Sequence, residues 1–442
     1  MNGTNKKENA RVLVIGGGLA GCEAAYYLAK RGVKVTLADM KPKKYTPAHE
    51  SPLLSELVCS NSLKSNDVYA NACGLLKEEM RILGSLTMEA AAASSVPAGG
   101  ALAVDREKFA AYVTEKIKAE PNVTVIGKEY ETVPDVSGDE YVFVATAPLP
   151  AAALAADIAK KTGKHLHFYD ASAPVIAADS VDMNAAFTQD RYDKGTGDYV
   201  NCPLTKDEYY AFVNALLSAE RAVLHDFEKG EIFEGCMPIE VMASRGKDTL
   251  RYGTLKPVGL SAEGKRPFAV AQLRKENAAG TAYNLVGFQT NLKFPEQKRV
   301  FSMIPALKNA EYLRYGVMHR NSFILSPAVL NRDFTFKYNR NVRFVGQLTG
   351  VEGYVESAAS GLFAAAYLYD FLTDNERGTA PGDTVIGALS DYLVSPNPDF
   401  QPMNANFGIL PPLTERIKDK KERYRALAGR ALASMRDWAA KN

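Results

Sequence analysis

The sequence predicts an α/β fold in which one Rossmann-like domain is built from both ends of the chain and a smaller α/β domain is inserted between them. Three observations support this prediction. A short apolar, β-branched run at Arg11–Ile15 is typical of a strand buried on both faces of a parallel sheet. A glycine-rich turn follows this run directly. A second strand with its own glycine-rich turn and helix occurs about 330 residues later.

Length and composition indicate a globular protein of two or three domains, on a prior of roughly 150 residues per domain. Of the 442 residues, 46% are hydrophobic and 24% charged, which excludes a disordered or fibrous protein. The longest apolar stretches are shorter than the roughly 20 residues that span a bilayer, so we expect no membrane span. Five cysteines without a CxxC pair argue against a disulfide framework and a zinc site. We therefore expect reduced thiols, a cytoplasmic location and no metal ion.

The first glycine-rich turn predicts a dinucleotide site. In a GxGxxG turn the first glycine permits a tight bend, the second lets a pyrophosphate approach the backbone, and the third lets the helix pack on the strand. The helix that follows offers free N–H groups to the phosphates. Asp39 ends the next predicted strand, where a carboxylate can bind ribose hydroxyl groups. The turn consists of Gly16, Gly17, Gly18, Leu19, Ala20 and Gly21.

The second glycine-rich turn indicates that the dinucleotide is FAD. A predicted strand at 342–346 ends in Gly346, and Gly350 and Gly353 precede a helix predicted over 356–372. Two such turns far apart in sequence are typical of FAD folds, in which the second helix points its positive end at the flavin ring. We therefore predict a discontinuous FAD-binding domain of the glutathione-reductase type. It comprises residues 1–185 and 335–442, with an insertion domain at 186–334.

The predicted insertion is rich in basic and aromatic residues. Between residues 240 and 345 there are 18 Lys and Arg against 7 Asp and Glu. Aromatic residues such as Tyr252, Phe294 and Tyr315 are interleaved with them. Basic side chains bind phosphate and aromatic faces stack on unpaired bases, so the pattern fits RNA presented as an unstacked loop. The charge alone fits a solvated face equally well.

Two cysteines are candidates for chemistry. Cys59 lies in the segment ELVCSNSL (56–63), and Cys236 lies in FEGCMPIE (233–240). A thiolate is a strong nucleophile where a turn and nearby basic residues favour the charged form. Taken alone, a free cysteine is more often a small buried residue. We give that interpretation to Cys22, Cys73 and Cys202.

Several ordered segments of this sequence are shared with a known family. They include GGGLAGCEAA (16–25), ELVCSNSL (56–63), FEGCMPIEVMASRG (233–246), NLVGFQTNL (284–292) and GQLTGVEGYVESAASGL (346–362). With them the chain closely resembles the TrmFO (Gid) family of folate- and FAD-dependent tRNA uracil-5-methyltransferases. The resemblance extends from about residue 11 to Gly408.

The resemblance implies a reaction and a set of residue roles. It implies that NAD(P)H reduces FAD and that methylenetetrahydrofolate supplies a one-carbon unit to C5 of uracil-54 in the T-loop of tRNA. It implies that Cys236 is the nucleophile at uracil C6 and Cys59 the second active-site thiol, although the two roles could be exchanged. It further implies that Gly16–Gly21 and Asp39 bind FAD and that Gly346–Gly353 lies beside the isoalloxazine ring.

Other functions remain compatible with the sequence. The same chemistry could act on a ribosomal RNA uridine, because both RNAs present a uridine in an exposed loop. A flavin oxidoreductase is less consistent with the sequence, because no two cysteines have the spacing of a redox pair. A non-catalytic flavoprotein that binds RNA is the third possibility. Contacts with folate or RNA, or a structural role, are equally open for His319, Arg320, Gln289 and Asn321.

Overall fold

The structure is a computed structural model that describes residues 6–46, 48–146, 149–163, 165–193, 196–222, 237–262 and 264–441. Only the backbone is described for 165–170, 319 and 320. The described residues form seventeen strands, which are β1 (Arg11–Ile15), β2 (Lys34–Asp39), β3 (Ser62–Ser65), β4 (Ser95–Val96), β5 (Ala101–Val104), β6 (Val123–Gly127), β7 (Glu140–Val144), β8 (His165–Ala171), β9 (Val175–Ala177), β10 (Phe187–Thr188), β11 (Tyr199–Leu204), β12 (Ala269–Lys275), β13 (Ala282–Leu285), β14 (Tyr312–Arg314), β15 (Met318–Ile324), β16 (Thr335–Phe336) and β17 (Asn339–Phe344).

The α-helices alternate with these strands in the first part of the chain and cluster at its end. They are α1 (Lys6–Asn9), α2 (Leu19–Ala29), α3 (Ala72–Ile82), α4 (Leu86–Ala93), α5 (Arg106–Ala119), α6 (Ala152–Thr162), α7 (Lys206–Ser218), α8 (Ile239–Ser244), α9 (Thr249–Tyr252), α10 (Phe294–Phe301), α11 (Ser326–Val329), α12 (Tyr354–Leu372), α13 (Val385–Val394) and α14 (Lys420–Ala439).

The first six-stranded sheet has the strand order β16-β17-β7-β1-β2-β6. All of its pairs are parallel except the pair of β16 with β17. In β7, Val142, Phe143 and Val144 are all fully buried, as expected for a strand covered on both faces. Because β17 pairs with β7, a segment near residue 340 completes a sheet that begins at residue 11. The sheet confirms the predicted α/β fold, in which the two ends of the chain share one sheet.

Helices α2 and α12 pack closely against each other. A Cβ atom at Gly361 in α12 would lie 2.0 Å from the carbonyl oxygen of Ala20 in α2, so only glycine permits this approach. Their apolar side chains share one core with those of β1 and β2. The packing brings the N-termini of both helices to the same end of the parallel sheet, which positions the site described below.

A second six-stranded sheet has the order β10-β11-β12-β13-β9-β14, and all of its pairs are antiparallel. It has a core of its own, in which Phe212, Phe288 and Phe301 are fully buried. The chain leaves the first sheet along β8 and returns along β15, and these two strands pair antiparallel with each other. Strands of the second sheet occur from residue 175 to 314, and the predicted division at 185 and 334 stays a prediction.

Candidate functional site

The first glycine-rich turn connects β1 to α2. Gly16 has φ +109°, and a Cβ atom there would lie 2.5 Å from the carbonyl oxygen of Ala145. A Cβ atom at Gly21 would lie 1.9 Å from the carbonyl oxygen of Gly16. At Gly18, in contrast, a Cβ atom would meet nothing within 4 Å. The turn is therefore closed by protein at Gly16 and Gly21 and open at Gly18.

This open side faces a cleft made of two adjoining cavities. The first contains about 670 Å³ of empty space and the second about 1230 Å³. Both cavities are lined by Gly18, His49, Glu56 and Ala145, so they adjoin each other at these residues. An extended ligand that passes Gly18 could therefore reach from one cavity into the other.

Asp39, at the end of β2, supports the glycine-rich turn. Its Oδ2 accepts a hydrogen bond from the backbone N–H of Gly17 at 2.7 Å, and its Oδ1 accepts one from the N–H of Lys41 at 2.8 Å. The carboxylate also lines the first cavity. Each carboxylate oxygen can accept a further hydrogen bond, so Asp39 can bind a hydroxyl group without releasing the turn.

The second glycine-rich turn reaches the second cavity. Gly346, Gly350 and Gly353 all have positive φ values, of +76°, +87° and +116°. Gly353 is the N-cap of α12 and supplies no side-chain hydrogen bond, just as Gly18 supplies none at the start of α2. Both helices therefore direct unpaired N–H groups and the positive end of a helix dipole at the cleft.

Cys59 lines the second cavity and is partly exposed. Its Sγ lies 2.9 Å from the hydroxyl oxygen Oη of Tyr354, the first residue of α12. The backbone N–H groups of Cys59 and Ser60 donate to the same Oη at 2.8 and 3.3 Å. The Cys59 thiol can donate to this oxygen, and a Cys59 thiolate can accept the hydroxyl proton. Burial, and secondly the nearby Cys59, raise the pKa of Tyr354 well above its ordinary value.

The other cysteines differ sharply from Cys59. Cys22, Cys73 and Cys202 are buried, as predicted. Burial raises the pKa of each of these three thiols to about 12, so they stay protonated and unreactive at neutral pH. Cys236 lies outside the described residues, and its predicted role stays a prediction.

The four candidates for folate or RNA contacts occupy different places. Gln289 lines the second cavity. Asn321 is buried on β15, and neither polar atom of its side chain has a hydrogen-bond partner among the described residues. His319 and Arg320 belong to the same strand, of which only the backbone is described at those two positions. The structure thus brings Gln289, of these four, to the wall of the cleft.

Sequence reasoning missed two residues of the cleft. Tyr354 belongs to the segment 346–362, which resembles the family. Its position directly after a glycine at the start of a helix could have identified it as a residue of the cleft. His49 gave no signal in the sequence, because no motif surrounds it. It lines both cavities, and its Nδ1 lies 2.6 Å from Thr46 Oγ1. Burial, aided by nearby Lys41, lowers the pKa of His49, which favours the neutral imidazole.

Within the described ranges, no cluster of three or more His, Cys, Asp and Glu side chains could hold a metal ion. No helix among those residues is both long and apolar enough to cross a membrane.

Comparisons with known proteins agree with the fold and with one family. The family described as glucose inhibited division protein A matches residues 11–376. Among solved structures, GidA of Aquifex aeolicus in its form I crystal aligns with a TM-score of 0.70, covering 97% of this chain and 76% of that one. The two sequences are only 15% identical, so this likeness concerns the fold alone.

Two relatives are much closer in sequence. A protein of Staphylococcus carnosus is 53% identical over 432 residues, and one of Acetivibrio thermocellus is 54% identical over 433 residues. In each case the alignment covers 97% of this chain and 98% of the relative. Both relatives are named methylenetetrahydrofolate–tRNA-(uracil-5-)-methyltransferase TrmFO. At this identity over nearly the whole chain, the protein belongs to the TrmFO family.

Proposed function

We propose that this protein is a methyltransferase that uses FAD and methylenetetrahydrofolate to form 5-methyluridine at uracil-54 in the T-loop of tRNA, with NAD(P)H as reductant. The observation that carries the proposal is the identity of 53–54% to relatives named for this reaction, over 97% of the chain. The cleft supports it independently, because a partly exposed thiol lies at the end of a groove with the features of a dinucleotide site.

The residues present fit FAD. The open side of the turn at Gly18 and the uncapped start of α2 suit the pyrophosphate. Asp39 has a carboxylate in the first cavity, which suits the ribose. The turn from Gly346 to Gly353 and the uncapped start of α12 suit the electron-rich carbonyl edge of the isoalloxazine ring. We therefore propose Gly16–Gly21, Asp39 and Gly346–Gly353 as the FAD-binding residues.

When bound, FAD would supply the reducing equivalents for the transfer. The roles of the chain's own groups at this end follow from their geometry. The Tyr354 hydroxyl can donate its proton to a Cys59 thiolate. Cys59 can then act as an acid or base beside the flavin, and Tyr354 holds the proton at Oη.

We propose that Cys236 is the nucleophile that activates the uracil. Uracil C5 is a poor nucleophile by itself. A bond from a thiolate sulfur to C6 moves the C5–C6 electron pair toward O4, and the resulting enolate carbon C5 can attack an electrophilic methylene. Removal of the C5 proton by a base then breaks the bond between the methylene and its carrier and leaves an exocyclic methylene at C5. Two-electron reduction of this methylene, with NAD(P)H as the source of the electrons, forms the methyl group, expels the thiolate and restores the C5–C6 double bond. The family resemblance supports this assignment, and Cys59 is the alternative nucleophile.

The RNA would bind on the side of the second sheet. The excess of basic residues between 240 and 345 and the interleaved aromatic residues support this placement. The domain division at 185 and 334 and a cytoplasmic location belong to the same proposal, since tRNA and reduced thiols occur in that compartment. Phosphate contacts release counterions, so RNA affinity should fall steeply as salt is raised.

The test is a reaction with defined components. Purified protein whose flavin spectrum has been recorded is incubated with methylenetetrahydrofolate, NADPH or NADH, and separate unmodified transcripts of tRNA and ribosomal RNA. We expect 5-methyluridine at position 54 of the tRNA alone, and none when either the folate or the reductant is omitted. Methylation of the ribosomal transcript alone would replace the substrate and keep the chemistry, whereas methylation of neither by a flavin-loaded protein would refute the proposal.

The role of Cys236 needs its own variant. Cys236→Ala should abolish methyl transfer and leave the flavin spectrum unchanged. Cys202→Ala is the matched control, because Cys202 is buried in the core of the second sheet and does not face the cleft. Retained methylation by Cys236→Ala would transfer the role of nucleophile to Cys59.

A further inference from the structure

The segment that carries Cys59, residues 57–61, forms no helix or strand, so tertiary contacts fix its shape. On one side it is held by Arg106, the first residue of α5. Arg106 Nη1 donates to the carbonyl oxygens of Leu57 and Val58 at 2.9 and 3.2 Å. The same guanidinium forms an ion pair with Glu276, directly after β12. Their side chains are 14% and 12% exposed, so solvent weakens this pair little.

Arg274, on β12 of the second sheet, holds the other side of the segment. Its Nε donates to Asn61 Oδ1 at 2.9 Å, and its Nη2 donates to Ser60 Oγ at 3.0 Å. The guanidinium thus forms hydrogen bonds with the two residues that follow Cys59. Asn61 also donates through Nδ2 to the carbonyl oxygens of Val104 and Lys275, at 3.1 and 2.9 Å. Hydrogen bonds therefore connect the Cys59 segment both to the first part of the chain and to the second sheet.

Burial of the Arg274 guanidinium has an energetic cost. Arg274 is only 5% exposed, and burial lowers its pKa because the charged form has lost hydration, an effect that nearby Tyr199 and Glu276 oppose. Its two acceptors in the Cys59 segment, Asn61 and Ser60, are neutral groups. A planar guanidinium can hold two acceptors at a fixed spacing, which a lysine ammonium cannot do. This geometry can fix the position of the Cys59 segment.

We propose that Arg274, together with the Arg106–Glu276 ion pair, positions Cys59 Sγ in the cleft and links its placement to the second sheet. The inference rests on the proposed function, in which Cys59 is an active-site thiol. None of the three side chains is among the described residues that line the two cavities. They are positioning residues that act through the Cys59 segment.

The test compares Arg274→Gln and Arg274→Lys with Arg81→Gln as the matched control. Arg81 lies on α3 and has only surface partners, Glu78 and Asn66. With flavin bound, each protein is treated with iodoacetamide, and the alkylation rate of the Cys59 peptide is followed by mass spectrometry. Methyl transfer to tRNA is then measured as kcat and KM.

We expect Arg274→Gln to keep the flavin spectrum and the KM for tRNA, and to lose about tenfold to a hundredfold in kcat, the cost of misplacing a reacting group by about 1 Å. The alkylation rate of Cys59 should change severalfold. Arg274→Lys should recover part of kcat, because it keeps the charge without the fork. Arg81→Gln should match the parent protein throughout.

An unchanged Cys59 alkylation rate and an unchanged kcat in Arg274→Gln would overturn the proposal. If Arg274→Gln fails to bind flavin, Ser60→Ala replaces it, because this change removes one acceptor of the guanidinium and leaves the charge in place. Parent-like alkylation of Cys59 in Ser60→Ala would then overturn the proposal. The alkylation measurement needs no RNA, so it separates this inference from the proposed function, which fails only if the parent protein methylates no RNA.

Discussion

The two ends of the cleft are built in different ways. At the first cavity, the glycine-rich turn, the start of α2 and Asp39 come from one continuous stretch of 29 residues, 11–39. At the second cavity, Cys59 meets Tyr354, which is 295 residues away in sequence. The first end depends on local backbone geometry, and the second depends on contacts between distant segments. The phosphate-binding turn thus depends mainly on local backbone geometry, whereas the environment of the thiol depends on tertiary contacts.

The largest expected effect of a substitution concerns the glycine-rich turn at the first cavity. In Gly21→Ala, the new Cβ atom would lie 1.9 Å from the carbonyl oxygen of Gly16, a backbone atom that cannot move without opening the turn. We expect loss of bound flavin and a decrease of at least about 3 kcal/mol in the free energy of unfolding. Flavin absorbance and urea denaturation measure the two effects.

Gly18→Ala is the matched control for this change, because its Cβ atom would meet no protein atom within 4 Å. It should keep the parent's unfolding free energy and lower only the affinity for flavin. Equal destabilisation by both substitutions would show that the turn is not open at Gly18.

The next largest effect is expected at Cys59 in the second cavity. Cys59→Ala should reduce methyl transfer at least about a hundredfold, the scale of a lost acid or base. The flavin spectrum should be unchanged, because the phosphate end does not depend on Cys59. Product mapping on tRNA together with the absorbance spectrum checks both statements. Loss of bound flavin in this variant would show that the two ends of the cleft are not independent.

A smaller effect is expected from Tyr354→Phe. The change removes the hydroxyl oxygen that accepts from the N–H groups of Cys59 and Ser60 and that lies 2.9 Å from Cys59 Sγ. We expect kcat to fall roughly tenfold, because the thiol loses a contact that positions it. Single-turnover rates with flavin-loaded protein measure this effect. Parent-like rates would exclude Tyr354 from the proposed proton transfer.

The smallest effect on the cleft is expected from Glu79, which separates pH effects on folding from those on chemistry. Glu79 is fully buried, and its two oxygens accept from the N–H groups of Val385 and Ile386. Burial raises its pKa from 4.5 to about 8. Between these values the unfolded chain loses the proton and the folded chain keeps it. Stability therefore falls as pH rises through this interval, by up to about 1.4 kcal/mol per pH unit.

Glu79→Gln should remove this component, because the amide does not titrate. Urea unfolding at pH 5 and pH 8 measures the difference, and methyl transfer at a single pH should stay close to that of the parent protein. An equal loss of stability between the two pH values in both proteins would assign the pH dependence to another group.

Much of the fold could be predicted from the sequence because it follows from local rules. The apolar run at Arg11–Ile15 forms the parallel strand β1 between β2 and β7. The helix predicted over 356–372 is α12, which begins two residues earlier and ends at the predicted residue. The burial of Cys22 and Cys202 followed from the ordinary behaviour of free cysteine.

The sequence by itself determined the turn at Gly16–Gly21, the strand before it, the helix after it and the carboxylate at Asp39. Each of these depends on steric and hydrogen-bonding rules that act over a few residues. Only the tertiary structure decided that Tyr354, Arg106 and Arg274 surround the Cys59 segment. That arrangement depends on the close packing of α2 on α12 and on the docking of β12. No period or spacing in the chain encodes such long-range contacts, because many different packings satisfy the same local pattern.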